Sequence, residues 1–275
     1  MGNYSEEPAV PVDAAVRAAI AAGEAIMEVY AAPESDWEVE RKADNSPLTL
    51  ADRRAHGVIA DALAATPYPL LSEEGAHEAY ALRKSRRTLW IADPLDGTKE
   101  FLKRNGEFTV NIALVHDGAP VLGVVYVPVS RVIYIGVVSA AASGRAAYKA
   151  VVASDGSLRD KVRLPLGRKE GPFTVVASRS HLSPETQAFV EEMRRLHGEV
   201  ELRSAGSSLK LCLVAEGSAD VYPRLAPTME WDTAAGDAVV RAVGGQVTDA
   251  GTRMPLRYNK EDLHNPFFVA ELCGK

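Results

Sequence analysis

The chain has 275 residues, of which 47% are hydrophobic and 25% are charged. This size and balance are typical of a globular protein that buries a sizeable core. The formal net charge of −6 argues against general binding to nucleic acid or to an anionic membrane. It does not exclude a small anionic ligand, because a local cationic group or a metal can reverse the field at one site.

The N-terminal half is predicted to begin with helices and to continue as a meander of strands. Amphipathic helices are expected at residues 11–30 and 52–65, where apolar residues recur with the helical period. A turn is expected at 44–47, and the predicted strands are 37–42, 88–92, 108–116, 121–127 and 131–138. Short glycine- and proline-containing turns join the last three strands, which indicates an antiparallel sheet.

The C-terminal half is predicted to alternate strands and helices after a polar surface excursion at residues 154–170. The expected strands are 173–177, 199–203, 220–222, 246–248 and 267–272, and the expected helices are 183–197, 207–216 and 233–243. The pattern predicts a mixed α+β fold of layered sheets and helices. We expect a single domain, 1–275, with lobes at about 1–150 and 151–275.

The cysteines and the apolar segments indicate the cellular compartment of the protein. Cys212 lies in an apolar run and is expected to be a buried thiol, and it forms no C-x-x-C pair with Cys273. Neither a disulfide framework nor a zinc site is indicated, so a cytoplasmic location fits best. We predict no signal peptide, and the apolar region 121–142 contains turn residues typical of paired strands, not of a membrane span. Peripheral association with the inner membrane face stays compatible with the sequence.

The strongest candidate site is a hexapeptide directly after a predicted strand: Asp93-Pro94-Leu95-Asp96-Gly97-Thr98. Pro94 fixes the backbone and Gly97 permits a tight turn, so both carboxylates can point to one side with the Leu95 carbonyl between them. Such an all-oxygen set suits Mg²⁺, and backbone N–H groups at a helix start can hold a phosphate. The alternative is a proline turn followed by a helix-capping aspartate.

Three further acidic positions lie at predicted strand or helix ends: Glu73, Asp52 and Asp232. Each has an ordinary alternative. Acidic pairs such as Glu73-Glu74 are usually solvated, and an aspartate at a helix start can be a cap that contributes ~1 kcal/mol. Taken together with the hexapeptide, the three positions indicate a site for a divalent metal and a phosphate.

The hexapeptide matches the D-P-[IL]-D-G-T signature of the inositol-monophosphatase-like, lithium-sensitive phosphatases. A second stretch matches their W-D-x-A-A-G signature: Trp231-Asp232-Thr233-Ala234-Ala235-Gly236. With the upstream acidic pair, the chain resembles this family from about residue 13 to 270. The resemblance implies an α/β/α/β/α sandwich of mostly antiparallel sheets and helices. It also implies a phosphatase that uses roughly two or three Mg²⁺ ions, is inhibited by lithium, and forms a monomer or homodimer.

Further segments are similar to one branch of the family, the bacterial 3′(2′),5′-bisphosphate nucleotidases. They are residues 42–52, 98–101, 105–114, 178–181, 206–210 and 222–224. The branch implies hydrolysis of adenosine 3′,5′-bisphosphate to AMP and phosphate, within sulfur metabolism. Inositol, sugar or NADP(H) phosphatases with the same metal core are alternatives, and a non-catalytic binding module is a remote one. Lys210 and Arg224 favour the nucleotide, because a neutral polyol monophosphate needs no such cationic pair.

The resemblance also implies roles for individual residues. The implied magnesium ligands are Glu73, Asp93, the Leu95 carbonyl, Asp96 and Asp232. Thr98 and Glu73 would orient the attacking water, and Asp52 would hydrogen-bond to Thr98. The implied substrate contacts are Gly97, Thr98, His181, Ser207, Lys210, Arg224 and Asp232. The implied partner is therefore a small phosphate monoester, and no covalent enzyme intermediate is expected.

Overall fold

The computed structural model describes residues 8–42, 46–138, 144–167, 170–177 and 183–272. The helices are α1 (Val12–Ala31), α2 (Leu50–Leu63), α3 (Tyr80–Arg83), α4 (Thr98–Leu102), α5 (Pro184–His197), α6 (Leu209–Glu216) and α7 (Glu230–Ala242). The strands are β1 (Glu40–Arg41), β2 (Pro47–Leu48), β3 (Leu70–Ser72), β4 (Thr88–Asp96), β5 (Thr109–His116), β6 (Ala119–Val127), β7 (Val132–Val137), β8 (Ala146–Val152), β9 (Leu158–Arg163), β10 (Phe173–Ala177), β11 (Val200–Ser204), β12 (Val221–Arg224), β13 (Gly245–Asp249) and β14 (Phe268–Leu272).

The described strands form two main sheets and one short two-stranded pair, β1-β2. The larger sheet has the order β3-β4-β5-β6-β7-β8-β9, and within it only β3 and β4 run parallel. The smaller sheet has the order β11-β10-β12-β14-β13, with β10 parallel to both of its neighbours. The hairpin meander predicted for β5, β6 and β7 is confirmed.

Helices cover both sheets and separate them, which gives five layers. Helices α1 and α2 pack on one face of the larger sheet, where Trp90, Ile112 and Val124 are fully buried. Helices α6 and α7 lie between the other face of that sheet and the smaller sheet. Helix α5 covers the outer face of the smaller sheet through Val190. The predicted α+β fold with an α/β/α/β/α layer order is confirmed.

The polar segment predicted as a surface excursion is partly wrong, because it contains β9. Strands β8 and β9 extend the larger sheet beyond residue 150, as far as Arg163. Most of β9 is exposed and charged, which is common in an edge strand that must not pair with another chain. Its side chains therefore lack the apolar alternation by which a strand is predicted.

Two helix starts also differ from the prediction. Helix α2 begins at Leu50, so Asp52 is in its first turn, and α7 begins at Glu230, so Asp232 is too. Both aspartates accept a hydrogen bond from the backbone N–H of the residue before the helix, Thr49 or Met229. These carboxylates cap their helices from inside the first turn.

Three further predictions concern the cysteines, the turn at 44–47 and membrane-spanning helices. Cys212 is fully buried, as expected, and burial raises the pKa of its thiol. Residues 44–45 of the predicted turn and Cys273 lie outside the described residues. None of the helices in the described part of the chain is long and apolar enough to cross a membrane.

Candidate active site

The parallel pairing of β3 and β4 brings two of the predicted acidic residues together. Ser72 pairs with Ala92, and the Glu73 N–H donates to the Ala92 carbonyl at 3.1 Å. Because the two strands are parallel, Glu73, directly after β3, lies beside Asp93 of β4. Asp93 is 2% exposed, and one of its oxygens accepts the Leu95 N–H at 3.0 Å.

Helix α7 adds a third carboxylate from the far end of the chain. One carboxylate oxygen each of Glu73, Asp93 and Asp232 lies within 4.8 Å of the others. The three donors are oxygens; Asp93 is buried, and Glu73 and Asp232 are half-buried. This donor set fits a hard divalent cation such as Mg²⁺.

The electrostatics of the cluster favour a cation. Burial raises the pKa of Asp93, and the nearby carboxylates of Glu73, Asp96 and Asp232 raise it further. Burial and the Asp96 carboxylate raise the pKa of Asp232 to about 8. Burial also raises the pKa of Glu73, against the opposing effect of the Lys42 ammonium. Such groups ionise more readily once a positive charge lies between them.

Lys42 is the cation that lies beside this cluster. Its ammonium donates to Glu73 at 2.6 Å and to Glu74 at 2.5 Å. Burial alone would lower the pKa of Lys42, but the two carboxylates raise it. Sequence reasoning gave Lys42 no role, since a lysine in a polar segment carries no distinguishing signal.

The predicted pair of Asp52 and Thr98 is present. The Thr98 hydroxyl donates to one Asp52 oxygen at 3.2 Å, and the Thr49 hydroxyl donates to the other at 2.6 Å. Asp52 is 2% exposed, and burial raises its pKa to about 6 although the hydrogen bonds from the Thr49 hydroxyl and backbone N–H oppose the shift. Asp52 therefore both caps α2 and contacts Thr98. The interpretation of Asp52 as a helix cap and its interpretation as a partner of Thr98 are compatible.

The hexapeptide continues β4 through an irregularity. The register with β5 shifts between Asp93 and Asp96, and Pro94 stands at that shift, where a missing N–H donor is tolerated. Gly97 follows with φ of 97°, a left-handed conformation that glycine adopts readily, and precedes α4. The Leu95 carbonyl lies 3.5 Å from the Thr98 hydroxyl.

A cavity of about 550 Å³ opens beside the carboxylates. Asp96 and Asp232 line it from the metal side, and three of the predicted substrate residues line it from the other: Ser207, Lys210 and Arg224. The Thr98 and Gly97 backbone is not part of this lining. His181, predicted with this group, lies outside the described residues.

Lys210 and Arg224, two of the cationic residues that line the cavity, are held differently. Lys210 is 6% exposed, and its ammonium donates to the carbonyls of Ala205 at 3.2 Å and Ser207 at 2.7 Å. Burial lowers the pKa of Lys210 to about 8. Arg224 donates to the Pro227 carbonyl at 3.1 Å, and its buried Nε has no partner among the described residues. Arg224 thus keeps an unused donor beside the cavity.

Asn111 and Ser208 belong to the site and were missed by sequence reasoning. Both donate to the Asp96 carboxylate, the Asn111 amide at 3.1 Å and the Ser208 hydroxyl at 2.8 Å. Both residues stand in segments that resemble the nucleotidase branch. A polar residue inside the otherwise apolar strand β5 was the available signal for Asn111.

The layered fold and the carboxylate cluster define a known class of phosphatase. The chain matches the model described as "Inositol monophosphatase family" over residues 9–270, and it belongs to that family.

Several similar proteins within the family carry the same name, CysQ. The 3′(2′),5′-bisphosphate nucleotidase CysQ of Escherichia coli (strain K12) is 47% identical over 250 residues, 90% of this chain and 94% of the relative. The protein of the same name from Buchnera aphidicola is 37% identical over 95% of this chain and 94% of the relative. The crystal structure of CysQ from Bacteroides thetaiotaomicron matches with a TM-score of 0.85 and 53% identity, covering 96% of this chain and 97% of that one.

A more distant solved structure shares the fold. The 2′AMP-bound SaIMPase-II has a TM-score of 0.70 at 22% identity, over 94% of this chain and 88% of that chain.

Proposed function

We propose that this chain is a Mg²⁺-dependent 3′(2′),5′-bisphosphate nucleotidase that hydrolyses adenosine 3′,5′-bisphosphate to AMP and phosphate. The observation that carries the proposal is the cluster of three carboxylates within 4.8 Å of one another, of which Asp232 lines a cavity that Lys210 and Arg224 also line. Relatives of closely similar length that carry this enzyme name support the choice of substrate.

The residues of the carboxylate cluster are suited to hold the cofactor. We assign Glu73, Asp93, the Leu95 carbonyl, Asp96 and Asp232 as its ligands. When bound, Mg²⁺ offsets the negative charge of the phosphoryl group and makes water a better nucleophile. Phosphoryl transfer needs mostly positioning and charge neutralisation from the protein, which these oxygens provide.

Thr98 and Glu73 are assigned to orient the attacking water. The Thr98 hydroxyl donates a hydrogen bond to Asp52, so its lone pairs remain available to accept a hydrogen bond from water. Asp52 is fixed in turn by Thr49, which limits the movement of the threonine hydroxyl. We assign the Gly97 and Thr98 amides to the phosphate, following the family resemblance.

The cations on the far side of the cavity are assigned to the second phosphate and the nucleotide. Two of the three Lys210 protons are directed at backbone carbonyls, which leaves one for a ligand. Arg224 has the unused Nε donor described above. Ser207 contacts both Lys210, through its carbonyl, and Asp96, through its hydroxyl. We place His181 with this group on the resemblance alone, and we infer a cytoplasmic setting from the cysteine pattern.

The proposal is tested by phosphate release with Mg²⁺, comparing adenosine 3′,5′-bisphosphate with inositol 1-phosphate at equal concentration. We expect a preference of ~100-fold for the nucleotide, equivalent to about 2.7 kcal/mol of transition-state binding. Equal rates, or a preference for the inositol phosphate, would leave the metal cluster standing and overturn the substrate assignment.

A variant identifies where the preference arises. Arg224→Gln should raise KM for the nucleotide and leave hydrolysis of inositol 1-phosphate nearly unchanged. The control is Arg159→Gln on the exposed strand β9, where the side chain pairs only weakly with Asp155 at 3.4 Å. An unchanged KM in Arg224→Gln would remove this residue from the nucleotide site.

A further inference from the structure

Asn111 is a buried polar residue with a fully used side chain. It lies in the interior strand β5, opposite Asp93, and is 1% exposed. Its amide nitrogen donates to Asp96 Oδ2 at 3.1 Å and to the Ser208 hydroxyl at 2.9 Å. Burying an amide is costly unless its hydrogen bonds are made, so these contacts account for its place in an apolar strand.

Thr109 fixes which way the Asn111 amide points. The Thr109 hydroxyl donates to Asn111 Oδ1 at 2.9 Å. A flipped amide would direct its oxygen at the Asp96 carboxylate, and two acceptors would then face each other. The amide nitrogen is therefore kept on the side of Asp96.

Two serine hydroxyls lie close to the same carboxylate oxygen. The hydroxyls of Ser207 and Ser208 lie 2.9 Å and 2.8 Å from Asp96 Oδ2. Ser207 has φ of 50°, a left-handed conformation that costs free energy in a non-glycine residue and is found preferentially at functional sites. Its hydroxyl also contacts Thr109 at 2.5 Å.

These contacts engage one carboxylate oxygen of Asp96 and leave the other oxygen without a hydrogen-bond donor from the described residues. The Asn111 amide donates to Oδ2, and the hydroxyl oxygens of Ser207 and Ser208 lie within 2.9 Å of the same oxygen. Within the described part of the chain no donor contacts Oδ1. A carboxylate fixed in this way can offer a single oxygen to a cation without first losing rotational freedom.

We infer that Asn111 is a positioning residue that fixes Asp96 for the metal, with Thr109 setting the direction of its amide. The inference rests on the proposed function, in which Asp96 is a metal ligand. Asn111 touches neither metal nor substrate in this account, and its effect passes entirely through Asp96. Partners that orient metal ligands typically change metal affinity by about 10–100-fold when they are removed.

The test is calorimetric titration of Mg²⁺ into the substrate-free protein, together with thermal unfolding. The variants are Asn111→Leu, which keeps similar volume without donors, and Thr109→Val, which leaves Asn111 in place but removes the bond that directs it. The matched control is Ile112→Val. Ile112 is the next residue of β5, is fully buried, and faces the helices α1 and α2 on the other side of the sheet.

We expect Mg²⁺ to bind at least ~10-fold more weakly to Asn111→Leu, less weakly to Thr109→Val, and with unchanged affinity to Ile112→Val. Raising the Mg²⁺ concentration should recover most of kcat in the two variants. If Asn111→Leu folds and binds Mg²⁺ as the wild type does, the inference is wrong. If Asn111→Leu does not fold, an unchanged affinity in Thr109→Val overturns the inference equally. Absence of Mg²⁺ binding to the wild type would instead count against the proposed function.

Discussion

Four acidic residues of the site are held where burial opposes their ionisation. The pKa values of Asp52, Glu73, Asp93 and Asp232 are all raised, and burial is the largest cause in each case. A protein tolerates such a cluster when a cation or a ligand repays the cost. The arrangement therefore favours a binding or catalytic purpose over a structural one.

Glu73 is the residue whose substitution should separate catalysis from folding. Glu73→Gln keeps the shape but removes the charge that we assign to the metal and the water, so kcat should fall by at least ~100-fold. Binding of AMP, measured by calorimetry, should remain. The control is Glu74→Gln, because Glu74 also pairs with Lys42 at 2.5 Å but is not part of the carboxylate cluster. A Glu73→Gln enzyme that turns over at the wild-type rate would refute the mechanism.

The raised pKa of Asp232 predicts that the stability of the metal-free protein falls as the pH rises. Its pKa rises from an ordinary 3.8 to about 8 in the folded state, so the folded protein holds a proton that the unfolded chain has released. The stability linked to this proton is fully present below about pH 4 and is lost as the pH rises through about 8. Chelator-treated protein should therefore unfold at a lower temperature at pH 8 than at pH 6.

The variant Asp232→Asn provides the comparison for that effect. It cannot titrate at this position, so the drop in unfolding temperature between pH 6 and pH 8 should be smaller. Each kcal/mol corresponds to about 2–4 °C in a domain of this size. An identical drop in Asp232→Asn would show that other groups, and not Asp232, carry the pH dependence.

At the scale of elements, α7 reaches the site because it lies unusually close to the larger sheet. Gly123 of β6 and Gly136 of β7 pair with each other and face the helix. A Cβ at Gly123 would lie 2.1 Å from the Ala235 carbonyl oxygen, and one at Gly136 would lie 2.5 Å from the Val239 Cα. Ala235 of the second signature lies against Gly123, so the motif serves packing as well as chemistry.

Gly123→Ala should therefore disturb the metal cluster from a distance. The added methyl group must push α7 away from the sheet, at a cost of about 1–3 kcal/mol, and Asp232 should move with the helix. We expect lower thermal stability and weaker Mg²⁺ binding by calorimetry. Gly57→Ala is the control, since Gly57 is exposed in α2 with open space around it and alanine favours a helix by about 1 kcal/mol. Unchanged Mg²⁺ affinity in a destabilised Gly123→Ala would separate packing from the site.

Helices and strands with one apolar face were predicted well from the sequence. Elements that are exposed or irregular were predicted poorly, because their hydrophobic periodicity is weak. Helices α1 and α5 and strand β5 were predicted to within a residue or two because their periodicity is strong. Strand β9 was missed because an edge strand needs no apolar face, and β4 was predicted too short because it continues through Pro94 by a shift in register. Helices α2 and α7 begin earlier than expected because their aspartates cap them from within.

Only those site residues that belong to short sequence motifs could be predicted from the sequence. Glu73, Asp93, Asp96 and Asp232 stand in short signatures, so local chemistry pointed to them. The contact of Asp96 with Ser208 joins residues 112 positions apart, and the contact with Asn111 depends on the pairing of β4 with β5. Such contacts follow from the layer order, which periodicity alone does not specify.

At the scale of the whole molecule, the carboxylate cluster connects separate layers. Glu73 and Asp93 belong to the β3 and β4 end of the larger sheet, whereas Asp232 belongs to a helix of the central layer. When these carboxylates are ionised, their mutual repulsion opposes the close approach of the two layers. The same carboxylates would hold the layers together around a cation, so binding of the proposed cofactor should be visible as stability of the entire fold.

We therefore expect Mg²⁺ to raise the unfolding temperature. A ligand at 100 times its Kd adds about 2.7 kcal/mol, or roughly 5–10 °C for a domain of this size. The measurement is a thermal melt of chelator-treated protein with and without MgCl₂, with NaCl of equal ionic strength as the control for screening. The increase should be reduced in Glu73→Gln, which lacks one ligand charge, and retained in Glu74→Gln. A wild-type melt that responds equally to both salts would mean that the cluster binds no divalent ion, because simple screening of exposed charges would then account for the whole effect.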